Sequence, residues 1–153
     1  MKRLISYIAI DEVNYPIVTD CIEIIEIIDM SKIDPLSAIL KFYNGVLPHN
    51  AEIAFTEFSR FIGGYNERPT PNSKGKKTID YSFDIDLIYT AILKEYHINI
   101  YKDGVHWFEF LWMLADLKQP SLLQDVITSR SGNLPREQVQ AYSRLKKLYP
   151  LVD

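Results

Sequence analysis

Between Val105 and Leu117 the chain reads VHWFEFLWMLADL, and only His106, Glu109 and Asp116 are polar. Wound as a helix, this segment gathers its three polar residues along one narrow stripe and leaves the rest of its surface apolar. A helix of that kind must be buried nearly all round, so the remainder of the chain has to wrap it. If Trp107, Phe108, Phe110, Leu111, Trp112 and Leu114 are each well buried, each contributes on the order of 1.5–3 kcal/mol of transfer free energy. The segment therefore marks the expected centre of the core.

The flanking sequence supplies further helices. Asp20 and Glu23 are spaced as a capping box at the head of a run in which Glu23, Glu26 and Asp29 recur every third residue. Asp34-Pro35 offers an N-cap and a proline at the first helical position, with Leu36, Ile39, Leu40 and Tyr43 on one face and Gly45 beyond the end. Asn50 heads a third helix in which Ile53, Ala54, Phe58, Phe61 and Ile62 recur at three and four before Gly63-Gly64. Further along, Asp84 is expected to cap a helix with Ile85, Ile88, Ile92 and Tyr96 on one face, and Phe83 to staple onto Ile88. Ser121 and Gln124 form an S-x-x-Q box before a short helix with Arg130 in its last turn and Gly132 beyond it. Pro135 opens a final helix with Val139, Tyr142, Leu145 and Tyr149 on one face. Ahead of all these, Leu4 to Val18 is rich in Ile, Tyr and Val around the turn formers Asp11–Asn14, which predicts a β-hairpin with Pro16 on an edge strand. The expected fold is mainly α, a compact bundle of about six helices with a small N-terminal β-hairpin.

A length of 153 residues suits one domain able to bury a core without metals or disulfides. Within it, residues 1–64 form an N-terminal half and 81–153 a helical C-terminal half. The intervening 65–80, rich in glycine, proline and lysine, is expected to be an exposed, mobile loop. The formal net charge of −3 argues against a general nucleic-acid binder, whose affinity rests on neutralising phosphates. A single cysteine, Cys21, cannot close an intramolecular disulfide and fits a reducing cytoplasm. Charge interrupts every apolar stretch well short of the ~20 residues that a membrane span needs, and Met1 to Ile10 lacks the parts of a signal peptide.

Catalytic constellations are sparse. Of the three histidines, His49, His97 and His106, the last two lie among carboxylates of the C-terminal half, and of those two only His106 has one at helical spacing, Glu109, both sitting on the apolar helix. That favours capping or a core hydrogen bond over metal ligation. Cys21 has acidic and apolar neighbours that would not depress its pKa. No G-x-S-x-G is present, and Gly75-Lys76-Lys77-Thr78 lacks the upstream glycine of a phosphate loop, Thr70 standing in its place. The chain is thus expected not to be an enzyme, with no catalytic residues, cofactor or metal.

One combination of motifs is distinctive: D-x-D-L-I-Y at Asp84 to Tyr89, Y-x-I-x-I at Tyr96 to Ile100, a His106-Trp107 helix continuing through Phe110 to Leu117, and a downstream Arg130. Together these resemble a tail-assembly-chaperone-like family of tailed phages and prophages of Gram-positive bacteria, encoded near the tape-measure gene. Many members of that family carry a second tryptophan where this chain has Phe108. The resemblance implies a protein of the bacterial host cytoplasm that binds the tail tape-measure protein and other tail-assembly proteins, with no nucleic-acid or membrane partner; self-association is left open. The signature residues Asp84, Asp86, Tyr89, Tyr96, His106, Trp107, Phe110 and Arg130 are expected to be structural. A contact face is expected on the third helix, at Phe55, Phe58 and Phe61. The competing reading is a structural virion component such as a head–tail connector or tail-completion protein.

Overall fold

A computed structural model of the chain describes residues 4–66, 77–131 and 139–151. Among them the fold is mainly α: a β-hairpin, β1 (Tyr7–Ile10) and β2 (Val13–Pro16), precedes seven helices. The helices are α1 (Cys21–Ser31), α2 (Pro35–Phe42), α3 (Ala51–Ile62), α4 (Ile85–Tyr96), α5 (Trp107–Ala115), α6 (Leu122–Ser131) and α7 (Val139–Leu148). The expected loop at 65–80 lies largely outside the described residues, as do Gly132 and Pro135.

The chain divides into two compact units, one of Met1–Pro69 with Ile100–Trp112 and one of Thr70–Asn99 with Met113–Asp153. In the first, β1 and β2 pair antiparallel with Ile10 opposite Val13, so only Asp11 and Glu12 form the turn and Asn14 sits in a strand rather than in the expected loop. Both turn residues are left-handed, with φ of +49° and +68°. That is the backbone a two-residue hairpin turn needs to match strand twist. His49 braces the turn: its Nε2 donates to the Asp11 carboxylate at 2.9 Å, and its Nδ1 lies 3.0 Å from the Tyr15 hydroxyl.

Three of the expected caps form as spaced. Asp20 accepts from the Ile22 and Glu23 amides at the start of α1, Asp34 from Ser37 at α2, and Asn50 from Ile53 at α3. The face of α2 differs from the one expected. Ala38, Ile39, Phe42 and Tyr43 are buried while Leu36 and Leu40 are exposed. Phe42 is the pivot, its ring 4.9 Å from both Tyr43 and Phe58 and 5.3 Å from Phe61, and those contacts turn α2 so that the 38/39/42 edge points inward.

The start of α5 closes this unit. Backbone bonds run from Cys21 N to Val105 O (2.9 Å) and from Trp107 N to Thr19 O (2.7 Å), so the chain enters α5 pinned to the head of α1. Trp107, Phe108, Phe110 and Leu111 are buried as expected, but Trp112 is 60 % exposed. Trp112 follows Glu109 by three residues and precedes Asp116 by four, which puts it on the polar side of the helix.

In the second unit α6 packs against α4 and α7 against α6. Ile79, Ile88, Ala91, Ile92, Leu123 and Val126 are buried. Ser121 caps α6 through the Gln124 amide, while the Gln124 side chain reaches back to Leu117 O rather than closing the box. Asp84 precedes α4 without capping it, and Phe83 is half exposed. Asp84 is committed elsewhere.

Candidate functional site

His106 and Trp107 sit where α5 begins. His106 Nδ1 accepts from the Phe108 amide (3.0 Å) and Glu109 Oε1 accepts from the His106 amide (3.3 Å), a capping box with histidine in the leading place. Its other nitrogen, Nε2, donates to Ile5 O at 2.7 Å. An amide on one nitrogen and a carbonyl on the other assign the ring hydrogen to Nε2 and leave neither nitrogen for a metal or a substrate. Phe61 and Phe108 flank the ring at centroid distances of 6.0 and 5.0 Å. Trp107 donates from Nε1 to Ile62 O at 3.0 Å and stacks on Phe110 at 5.2 Å. These three signature residues are packing groups.

The remaining signature residues belong to the second unit. Arg130 and Asp84, both almost fully buried, form a two-pronged ion pair with Nη1–Oδ2 at 2.7 Å and Nη2–Oδ1 at 2.9 Å. Arg130 Nη1 also donates to Thr78 O, and Nε and Nη2 both donate to Tyr149 O, so all five guanidinium hydrogens are used. Asp84 Oδ2 accepts in addition from the Asp80 amide. The pair thereby ties the approach to α4, the end of α6 and the end of α7 to one point. Tyr89 shares a hydrogen bond with Asn99, and Asp86 is exposed in the first turn of α4. Tyr96 is pushed up by burial and by the neighbouring Glu95 carboxylate. Glu95 itself is held below its ordinary range by the Gln119 and Lys118 amides that it accepts.

Burial, then the charge of Asp20, pushes the Cys21 thiol up to about 12, where it is inert as a nucleophile at neutral pH. Among the described residues no group of three or more His, Cys, Asp or Glu side chains could hold a metal.

The surface is more informative. Of the expected contact face on α3, Phe61 is fully buried, Phe58 nearly so and Phe55 half-buried, so the three share a side of the helix turned mainly inward. Besides Trp112 and Tyr101, this unit exposes a group of apolar side chains on and beside α2: Ile33 (89 % exposed), Leu36 (57 %), Leu40, Val46 and Leu47. Leu36 and Leu40 lie about one turn apart on α2, and Ile33 lies in the turn just before its N-cap, so the three make an exposed apolar strip at the start of α2. It borders an open cleft of about 600 Å³ lined by Val18, Glu23, Met30, Leu40, Lys41 and Asn44. A Lys41–Glu26 ion pair of 3.4 Å joins α2 to α1. Helical spacing sets Leu36 and Leu40 on the expected core face of this helix; what that spacing does not carry is the roll of α2 imposed by Phe42.

Over residues 1–151 the chain matches the family model described as Bacteriophage Gp15 protein. The chain belongs to the bacteriophage Gp15 family. Neither a curated protein nor a solved structure matches it. In this Gp15-family chain Asp84, His106, Trp107 and Arg130 of the motifs are engaged in packing and internal hydrogen bonds while Asp86 is exposed, and the exposed α2 strip is the candidate for contact with other molecules. Among the described residues no helix is long and apolar enough to cross a membrane.

Proposed function

We propose that this phage protein is a tail-assembly factor of chaperone type, working in the host cytoplasm and shielding amphipathic helices of the tail tape-measure protein while other tail components assemble. The observation that carries this reading is the exposed strip Ile33–Leu36–Leu40 beside the α1–α2 cleft. Apolar side chains grouped on a surface mark binding sites for other chains. Exposed apolar side chains one helical turn apart next to a groove between two helices suit an amphipathic client helix, whose apolar face enters the groove. Phage-family membership supplies the setting, and the His106 and Asp84–Arg130 groups, fully engaged in packing, support binding rather than catalysis.

Co-expression with the tape-measure protein of the same phage tests it. The unaltered chain should raise the soluble fraction of the tape-measure protein and co-purify with it. The Leu36→Asp/Leu40→Asp variant, altered only at exposed positions, should fold normally and lose that effect. Failure of the unaltered chain to bind or solubilise the tape-measure protein would refute the proposal. Recovery of the chain from purified virions would favour a structural component instead.

A further inference from the structure

Helix α7 is held unlike the other six. None of its residues is buried, and Val139 and Leu148 are strongly exposed. Its apolar positions, Val139, Tyr142, Leu145 and Tyr149, follow helical spacing, with Tyr142 and Leu145 half-buried where α7 packs on α6. Arg144, Lys146 and Lys147 are exposed. A ten-residue helix does not persist alone in water, so α7 depends on this shallow seat and on whatever fastens its end.

Among the described residues the fastening at the C-terminal end of α7 is polar. The Tyr149 carbonyl, just past the last turn, accepts from Arg130 Nε at 3.1 Å and Nη2 at 2.9 Å. A cation is favourable at that pole of a helix dipole. Arg130 meanwhile keeps its fork to Asp84 and its bond to Thr78 O, neither of which involves α7. The clamp therefore has a fixed part and a releasable part. Opening the Tyr149 arm exposes two donors to water but leaves the buried ion paired, so the penalty for an unpaired interior charge never arises.

We propose that α7 is a releasable strap, an intramolecular stand-in for an amphipathic client helix, and that the client displaces it from its seat on α6. The occupant follows from the strap itself: the seat accepts a helix with apolar residues at three- and four-residue spacing and basic residues outward, and a longer helix of that chemistry competes for it. Naming that client as the tape-measure protein rests on the proposed function above; the weak hold on α7 does not.

Hydrogen exchange on the full chain, alone and in complex with co-expressed tape-measure protein, tests both parts. In the free chain the α7 amides should exchange at least 10-fold faster than those of α4. Leu145→Lys should speed α7 by about another 10-fold and leave α4 unchanged. Equal protection of α7 and α4, or loss of both together in the variant, overturns the strap. In the complex α7 should lose its remaining protection; if it stays as protected as in the free chain, displacement is wrong. Absence of any complex overturns the functional reading and its client, and the free-chain exchange then judges the strap by itself.

Discussion

Neutralising one side of the Asp84–Arg130 pair should unfold the second unit far more readily than any surface change. Asp84→Asn keeps the side chain's size and removes its charge, leaving Arg130, only 3 % exposed at its side chain, as a buried cation without a counterion. Removing one partner of such a pair costs about 3–5 kcal/mol. Arg130→Met should cost a similar amount, because it strands the Asp84 carboxylate with only the Asp80 amide for support. The double variant is the discriminating one. It holds no lone charge, and its loss comes from the Arg130 hydrogen bonds to the Thr78 and Tyr149 carbonyls, at about 1–3 kcal/mol each. It should cost about 2–6 kcal/mol against a sum of about 6–10 for the single changes. Urea unfolding followed by circular dichroism, with amide exchange at α4 and α6, measures all three. Tryptophan fluorescence is the wrong probe, since Trp107 and Trp112 both belong to the other unit. Single-variant losses below about 1 kcal/mol, the range of exposed ion pairs, or strict additivity in the double variant, would refute the reasoning.

Three further outcomes follow. His106→Ala removes the acceptor for the Phe108 amide and the donor to Ile5 O, and should destabilise the first unit by about 1–3 kcal/mol, read as an earlier urea midpoint of Trp107 fluorescence. Glu12→Gly relieves a left-handed residue, φ +68°, that costs a side chain roughly 1–2 kcal/mol, less the extra chain entropy of glycine; the melting temperature should rise slightly, and a fall would count against the turn as described. Cys21, with its thiol pushed up to about 12 by burial, should resist iodoacetamide at pH 8 until urea unfolds the chain. Because the unfolded thiol ionises near its ordinary value of 9.0, the stability linked to Cys21 is intact below pH 9 and declines as pH rises from 9 towards 12, and a Cys21→Ala chain should lack that decline.

Local chemistry was readable in advance, and orientation was not. Asp20, Asp34 and Asn50 announce their helices because a cap acts within three residues, and each accepts the amide its spacing implies. The hairpin was legible from its apolar flanks, although Asn14, a turn former by type, was drawn into β2 by the register that Ile10 and Val13 set. Leu36 was misplaced because helical spacing does not say which edge of α2 faces inward, and that depends on contacts such as Phe42–Phe61 that no short window of sequence contains; Trp112 was misplaced although its position between Glu109 and Asp116 marks the polar side of its helix. Asp84 was read as a cap because its partner lies 46 residues away; the motif spanning Asp84 and Arg130 marked both residues without revealing that they meet. The α2 strip was invisible for the complementary reason, since an exposed leucine and a buried one look alike until the helix is rolled into place.

The pinning of the head of α5 to the start of α1 and to Ile5, just before β1, has a consequence for synthesis. Ile5 and His106 stand 101 residues apart in the chain, and Trp107 donates to a carbonyl 45 residues earlier. The first unit therefore cannot complete itself while the ribosome is still making α4. Its helices α1 to α3 emerge with Ile24, Phe58 and Phe61 ready and the Trp107 side chain not yet made. For that interval the nascent chain exposes an unfinished apolar surface, open to aggregation or to a holding factor, and it closes only after translation has passed Trp107.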